Sequence, residues 1–248
     1  MPLGTRVARG RGGLSTRLRP TARDTTAHME HAALDEPVRR YLAHAIAGTA
    51  DPGRRVRLQL RGRIKVGAWL RFDSVWEGDG HSFSWRARAG PGPLRLLRVH
   101  DQFADGRGSM HVAMRRLALV DAHDEDTARS GAGRAALEAI WTPGALLPQR
   151  GVQWRAQSQE EIVATWEVPP ERPEVHLGIG ADGQVRFTRA MRWRNHHEGY
   201  VPFGADVYEE RRFDALTIPT RITAGWRHGT PEWSPFFDAE VSGFELVG

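Results

Sequence analysis

The 248-residue chain contains no cysteine. That excludes disulfides, thiolate metal ligands and cysteine nucleophiles together. It contains a single lysine, Lys65. A Walker A loop needs a Gly-Lys pair, which does not occur, and Schiff-base chemistry would have only Lys65 to use. No Gly-x-Ser-x-Gly elbow is present, so the usual serine nucleophile of the α/β-hydrolases is missing. No run approaches the ~18 apolar residues of a spanning helix, and no membrane span is expected.

Acidic surplus is absent too, and the formal charge is +5. Its location matters more than its size. Residues 1–28 hold Arg6, Arg9, Arg11, Arg17, Arg19 and Arg23 against Asp24 alone. Setting these aside from the 35 basic and 30 acidic residues leaves 29 of each sign in the remainder. A balanced body does not suggest a nucleic-acid groove, and no nucleic-acid partner is expected. The near-exclusive use of arginine over lysine reads as a coding bias. Residues 1–28 have few large apolar residues and no apolar core of a secretory signal. They are expected to be a disordered, dispensable basic tail, or to precede a true start at Met29. A cytoplasmic location is expected with them.

What is present is mostly strand. The main exception runs from Asp124 to Pro148, where Ala136, Leu137, Ile140 and Trp141 form one stripe of a 3.6-residue repeat. Asp124, Glu125 and Asp126 suit the first turn, and Pro143 predicts an end at Thr142. Ser130, Gly131, Ala132 and Gly133 are four small residues in a row, although glycine costs a helix about 1 kcal/mol relative to alanine. They predict a close approach to a flat partner, a sheet. A second, short helix is predicted from Asp35, with Pro37 in its first turn, Val38, Tyr41, Leu42, Ala45 and Ile46 on one face, and Gly48 as its stop.

Elsewhere the period is two. Val56, Leu58, Leu60, Ile64 and Val66 alternate with Arg55, Arg57, Gln59, Arg61, Arg63 and Lys65, a half-buried strand with a basic wet face. Similar alternation recurs over 69–76, 83–89, around the Asp105-Gly106 turn, and over 152–156, 162–168, 174–179, 184–193, 201–207, 218–226 and 237–246. Asp182-Gly183 is expected to close a hairpin as a type I′ turn. Ser242-Gly243 is expected to be a bulge. The fold class is therefore mainly β: a curved antiparallel half-barrel of about eleven strands with two main helices, one over the concave face. Residues 29–248 are expected to be one domain.

Several motifs dissolve when placed on elements. Gly178-Ile179-Gly180-Ala181-Asp182-Gly183 matches Gly-x-Gly-x-x-Gly, but it leads into a strand where a dinucleotide fingerprint must open a helix. His196-His197-Glu198 and His100-Asp101 are adjacent residues, which point to opposite faces of a strand. Asp121, His123, Asp124 and Asp126 are the best metal or acid–base candidates, yet the acids also suit the helix start. No metal and no cofactor are expected. The nine tryptophans first suggest core filling. A curved sheet can also leave an aromatic concave wall, and Trp85, Trp141, Trp166 and Trp226 are expected to face inward. Arg134 and Glu138 are four apart, either a surface pair worth a few tenths of a kcal/mol or a polar pair at a pocket mouth. These six are the candidate ligand-binding residues.

From about Leu34 onward the chain resembles an actinobacteria-rich family of uncharacterised proteins. The resemblance rests on Pro37-Val38-Arg39-Arg40-Tyr41-Leu42, Asp105-Gly106-Arg107-Gly108, Ser130 to Pro148 with Trp141-Thr142-Pro143, Val201-Pro202-Phe203-Gly204, Ile218-Pro219-Thr220 and Gly225-Trp226. It implies a LolA-like half-barrel, the fold of the lipoprotein-localisation carrier LolA and of the lipoprotein LppX, whose cavities hold acyl chains. The leading functional expectation is a non-catalytic carrier or sensor of an apolar small molecule or lipid. A hydrolase or isomerase using Asp121, His123 or Glu138 in the same cavity is the second reading. A partner-binding scaffold with a filled core is the third.

Overall fold

A computed structural model describes residues 34–47, 54–91, 93–115 and 117–247. The expectations placed on residues 1–28, on Met29 and on Gly48 lie outside them.

Helix α1 spans Glu36–Ala45 and is followed by β1 (Arg55–Val66), β2 (Ala68–Gly78), β3 (Phe83–Gly90), β4 (Leu97–Ala104), β5 (Arg107–Met114) and β6 (Leu117–Ala122). Helix α2, Glu125–Leu137, comes next. The second run of strands is β7 (Gln153–Ala156), β8 (Glu161–Thr165), β9 (Glu174–Ile179), β10 (Val185–Asn195), β11 (Gly199–Phe213), β12 (Leu216–Trp226) and β13 (Ser234–Val247). All thirteen form one antiparallel sheet, ordered β6-β5-β4-β3-β2-β1-β13-β12-β11-β10-β9-β8-β7. The chain starts at the middle, meanders to one edge, crosses to the other edge through α2, and meanders back. β1 and β13 close the centre, with Arg55 opposite Val247 and Ile64 opposite Phe237.

The sheet is strongly curled, and α2 shows why. β4 and β10 are seven strand steps apart, about 34 Å in a flat sheet at ~4.8 Å per step. Yet the same helix touches both. A side chain at Gly131 would meet the Phe103 ring on β4 at 2.9 Å, and one at Gly133 would meet Arg192 on β10 at 3.0 Å. Only a sheet wrapped around the helix brings both arms to one 13-residue element. The small-residue run serves this double contact, so α2 lies on the concave side of an open half-barrel, as expected from the strand pattern.

Among the described residues the strand count is thirteen, two above expectation. β6 was hidden because the turn before it uses Arg115 in the left-handed region (φ 56°) where glycine is the usual signal. The hairpin after β9 is also a correction. Gly183 has φ 88°, but Asp182 is not among the residues with positive φ, so the turn is not type I′. Gly183 N–H donates to the Gly180 carbonyl (3.0 Å) and Gly180 N–H to that of Gln184 (2.8 Å). That is a type I turn closed by a left-handed glycine at a bulge. The type I′ pair occurs instead at Asp105 (φ 51°) and Gly106 (φ 72°). The register of β1 against β13 skips Ser242 between Leu60–Val241 and Gln59–Gly243, which is the expected bulge.

The basic face of β1 is a cross-strand ladder. Arg57 pairs with Glu77 on β2 and Glu245 on β13, Arg61 with Glu240, and Arg63 with Asp238. α1 buries Val38, Tyr41, Leu42 and Ala45 and packs on β7, β8 and β12. Its Asp35 does not cap through its side chain; the carboxylate accepts from Ala156 N–H instead (2.7 Å), tying the helix start to β7.

Candidate functional site

α2 is held by its first half. Asp124 accepts from Thr127 N–H (2.8 Å), which caps the helix as its position suggests. Asp126 accepts from the Trp193 indole (2.7 Å) and from His196 N–H (3.0 Å). Arg129 lies 3.6 Å over the Trp193 ring and pairs with Glu171 (2.6 Å). These contacts pin the helix to β10 and to the loop before β9. The α-helix ends at Leu137 and tightens into a 3-10 turn over Glu138–Trp141, with a second over Pro143–Leu146. The expected end at Thr142 is thus the end of the tightened turn, because Pro143 forces Thr142 out of the helical region.

Beneath α2 and that turn lies a cavity of about 330 Å³. Its walls are mostly apolar: Ile64, Val99, Met110, Leu137, Ile140, Ile222 and Phe237 among them. Of the six residues singled out in the sequence, Trp85, Arg134, Glu138, Trp141 and Trp226 border it. Trp166 does not. It is buried elsewhere, with its indole N–H on the Gly80 carbonyl (3.3 Å), because it sits in the loop after β8 and not on a sheet position. The tryptophans are themselves fixed. Trp85 donates to Ser74 Oγ (3.0 Å) and Trp141 to the Pro219 carbonyl (3.1 Å). Trp76, behind Trp141 at 5.1 Å between ring centres, donates to Glu138 (2.7 Å).

The polar part of the wall is an ion-pair set. Arg134 Nη1 contacts Asp101 on β4 (2.5 Å), and its Nε contacts Glu138 (2.7 Å). The pair foreseen as Arg134–Glu138 is therefore half-buried and joined by Asp101, which is 5% exposed. Arg134 also lies 4.5 Å over the Phe83 ring. Burial alone would lower the Arg134 pKa, but Glu138 and Asp101 more than reverse that, so the guanidinium is held above its ordinary value. Arg192, on β10, faces the same cavity without a carboxylate in contact. Burial and the nearby Arg134 pull it down to about 10, partly offset by Asp101 and Glu138.

Asp101, Thr188 and Arg192 were missed in the sequence. Each has a signal in hindsight. Asp101 falls between Val99 and Phe103 at inward-facing positions of β4, and Thr188 and Arg192 flank buried Ala190 on β10. A polar residue in the inward register is the mark of a site. The residues named for chemistry are scattered. Asp121 lies on the exposed edge strand β6, 3.8 Å from His111, and His123 is exposed. Neither borders the cavity, so the reading that put them there with Glu138 is corrected: the strand bearing Asp121 is at the sheet edge, away from the concave floor. His196 and His197 stand in a turn, with rings 3.8 Å apart, and His196 pairs with Asp126. Among the described residues no three His, Asp or Glu converge as metal ligands, and no helix is long and apolar enough to cross a membrane.

A family of unknown function, DUF6544, matches residues 24–239. The chain belongs to that family. A comparison with curated proteins finds no match. Among solved structures, the DUF6544 chain is similar to an outer membrane lipoprotein-sorting protein domain from Vibrio parahaemolyticus. The identity is 8%, over 89% of this chain and 91% of that one, with a TM-score of 0.41. It is also similar to a LolA superfamily protein from Nitrosomonas europaea, at 9% identity over 86% and 92% of the two chains, with a TM-score of 0.42.

Proposed function

We propose that this DUF6544 protein is a non-catalytic carrier or sensor that holds an apolar, acyl-chain-like ligand between α2 and the sheet. The observation that carries the reading is the cavity itself. Its 330 Å³ falls in the range of about 300–1,000 Å³ usual for small-molecule sites. Keeping such walls in water is unfavourable by roughly 25 cal/mol for each Å² of apolar surface. Trp85, Trp141 and Trp226 would form the ligand's walls, with Arg134 and Glu138 at its polar side. The Arg134 guanidinium is shared between Glu138 and Asp101, and Trp76 orients Glu138, which favours a fixed wall over a reacting centre.

Native mass spectrometry of the full chain, followed by solvent extraction, tests this. The expected result is a mass excess that extracts as a single-chain lipid or similar apolar compound. Repeated preparations with no excess mass, together with no response of tryptophan fluorescence to added alkyl compounds, would leave the scaffold reading in its place.

A further inference from the structure

The cavity wall carries two cations, Arg134 and Arg192, and two carboxylates, Asp101 and Glu138, and one of the cations touches neither carboxylate. Arg134 takes up both nearby carboxylates: its Nη1 is on Asp101 and its Nε on Glu138, and Glu138 also accepts from Trp76. Arg192 is left with a single hydrogen bond, from its Nε to the Ser130 carbonyl on α2 (3.0 Å). Its guanidinium carbon lies 4.7 Å from the Phe203 ring centre and 5.2 Å from that of Trp226, two rings only 4.9 Å from each other, so one side of the group is aromatic. Its terminal nitrogens have no partner among the described residues. Elsewhere on the sheet, arginines such as Arg57, Arg61 and Arg63 each meet a carboxylate. Thr188, which lines the same cavity, is 3% exposed and its buried hydroxyl has no hydrogen-bond partner.

A half-buried guanidinium whose fork is free is built to receive a planar oxyanion, because two parallel N–H donors match a carboxylate. The backbone contact to Ser130 holds the Nε edge and the two rings pack against one side, so the remaining edge is restrained at the cavity wall. Resting on the carrier reading above, we propose that Arg192 is the headgroup anchor of the cavity and that the ligand is a single-chain amphiphile ending in a carboxylate. Its chain runs from Arg192 along the apolar wall, past Trp226 and towards Trp141. Arg192 is cationic at neutral pH, since even its depressed value of about 10 lies well above it.

Dodecanoate, 1-dodecanol and dodecyltrimethylammonium share one chain and differ in charge. Each is titrated into the full-length protein while tryptophan fluorescence is followed, and then into Arg192→Met and Arg192→Lys. The expected order is dodecanoate first, by about ten-fold or more over dodecanol, which corresponds to one charge-assisted hydrogen-bonded contact. Arg192→Met should lose that preference while still binding dodecanol; Arg192→Lys, which keeps the charge but not the two-donor fork, should retain only part of it. Equal binding of dodecanoate and dodecanol, tighter binding of the trimethylammonium compound, or an unchanged preference in Arg192→Met overturns the anchor but leaves the apolar carrier standing. Binding of none of the three overturns both. If Arg192→Met does not fold, as judged by its melting curve, the ligand order on the unaltered protein and on Arg192→Lys still decides.

Discussion

Gly108→Ala on β5 tests the placement of α2 through the sign of its effect. A Cβ at Gly108 would stand 2.4 Å from the Thr127 carbonyl oxygen, 2.7 Å from its carbon and 2.9 Å from Ala128 N. A comfortable carbon–oxygen contact is about 3.3 Å, so the helix start and β5 must part by roughly 1 Å. The obstacle is backbone and cannot rotate away. The helix start is also tied down by the Asp124 cap, by Asp126 on Trp193 and by Arg129 on Glu171. Overpacking of this kind costs about 1–3 kcal/mol, and an immovable obstacle puts it at the upper end. Against it, alanine is better than glycine in a strand by about 0.5–1 kcal/mol. The net loss is about 2 kcal/mol, or about 4–8 °C in melting temperature for a domain of this size. Thermal and urea unfolding of the full chain measure it. Were α2 not seated on β5, only the strand preference would remain and the variant would be more stable. An unchanged or raised melting temperature would therefore refute the docking.

Arg134→Met leaves Asp101 and Glu138 without their cation, which should cost about 3–5 kcal/mol in urea unfolding; a loss under ~1 kcal/mol would mean that the three charges are not coupled in this way. Trp141→Ala should destabilise by about 3–5 kcal/mol because the side chain is buried and bonded to Pro219. Trp226→Ala, which is partly exposed to the cavity, should cost clearly less and act mainly on ligand binding; equal losses would contradict the different burial of the two. Hydrogen bonds from His196 and Trp193 hold the Asp126 carboxyl below the ordinary aspartate value of about 3.9. The native state thus favours the ionised form, and its contribution is present above the unfolded value and lost as pH falls through the folded one. The stability difference between the unaltered protein and Asp126→Ala should be constant from pH 7 to about 5 and shrink below about 4; a difference unchanged down to pH 2 would rule out this role.

Much of the fold is legible residue by residue. The alternation of Val56, Leu58 and Leu60 with arginines marks β1 and its wet face, since side chains in a strand change sides at every step. Gly131 and Gly133 mark two close helix contacts, where an added Cβ would press on the Phe103 ring and the Arg192 stem. Pro143 marks the end of the helical turn. Where local signals fail, a local rule was broken by a distant need. Arg115 takes a left-handed conformation usually left to glycine, so β6 merged with β5 in the pattern. Asp182 stays out of that conformation because the turn uses Gly183 alone.

By itself the sequence determined which residues are apolar on which side and roughly where the helices lie, and it excluded cysteine chemistry, a Walker A loop and a Gly-x-Ser-x-Gly elbow. These depend on a few neighbouring residues. Only the tertiary structure decided that Asp101 and Arg192, 91 positions apart, share one cavity, that Arg134 takes both carboxylates, and that Trp166 stands outside. The reason is the curl of the sheet. It brings strands seven places apart onto one helix, so which charges meet depends on closure across the whole sheet and not on spacing along the chain.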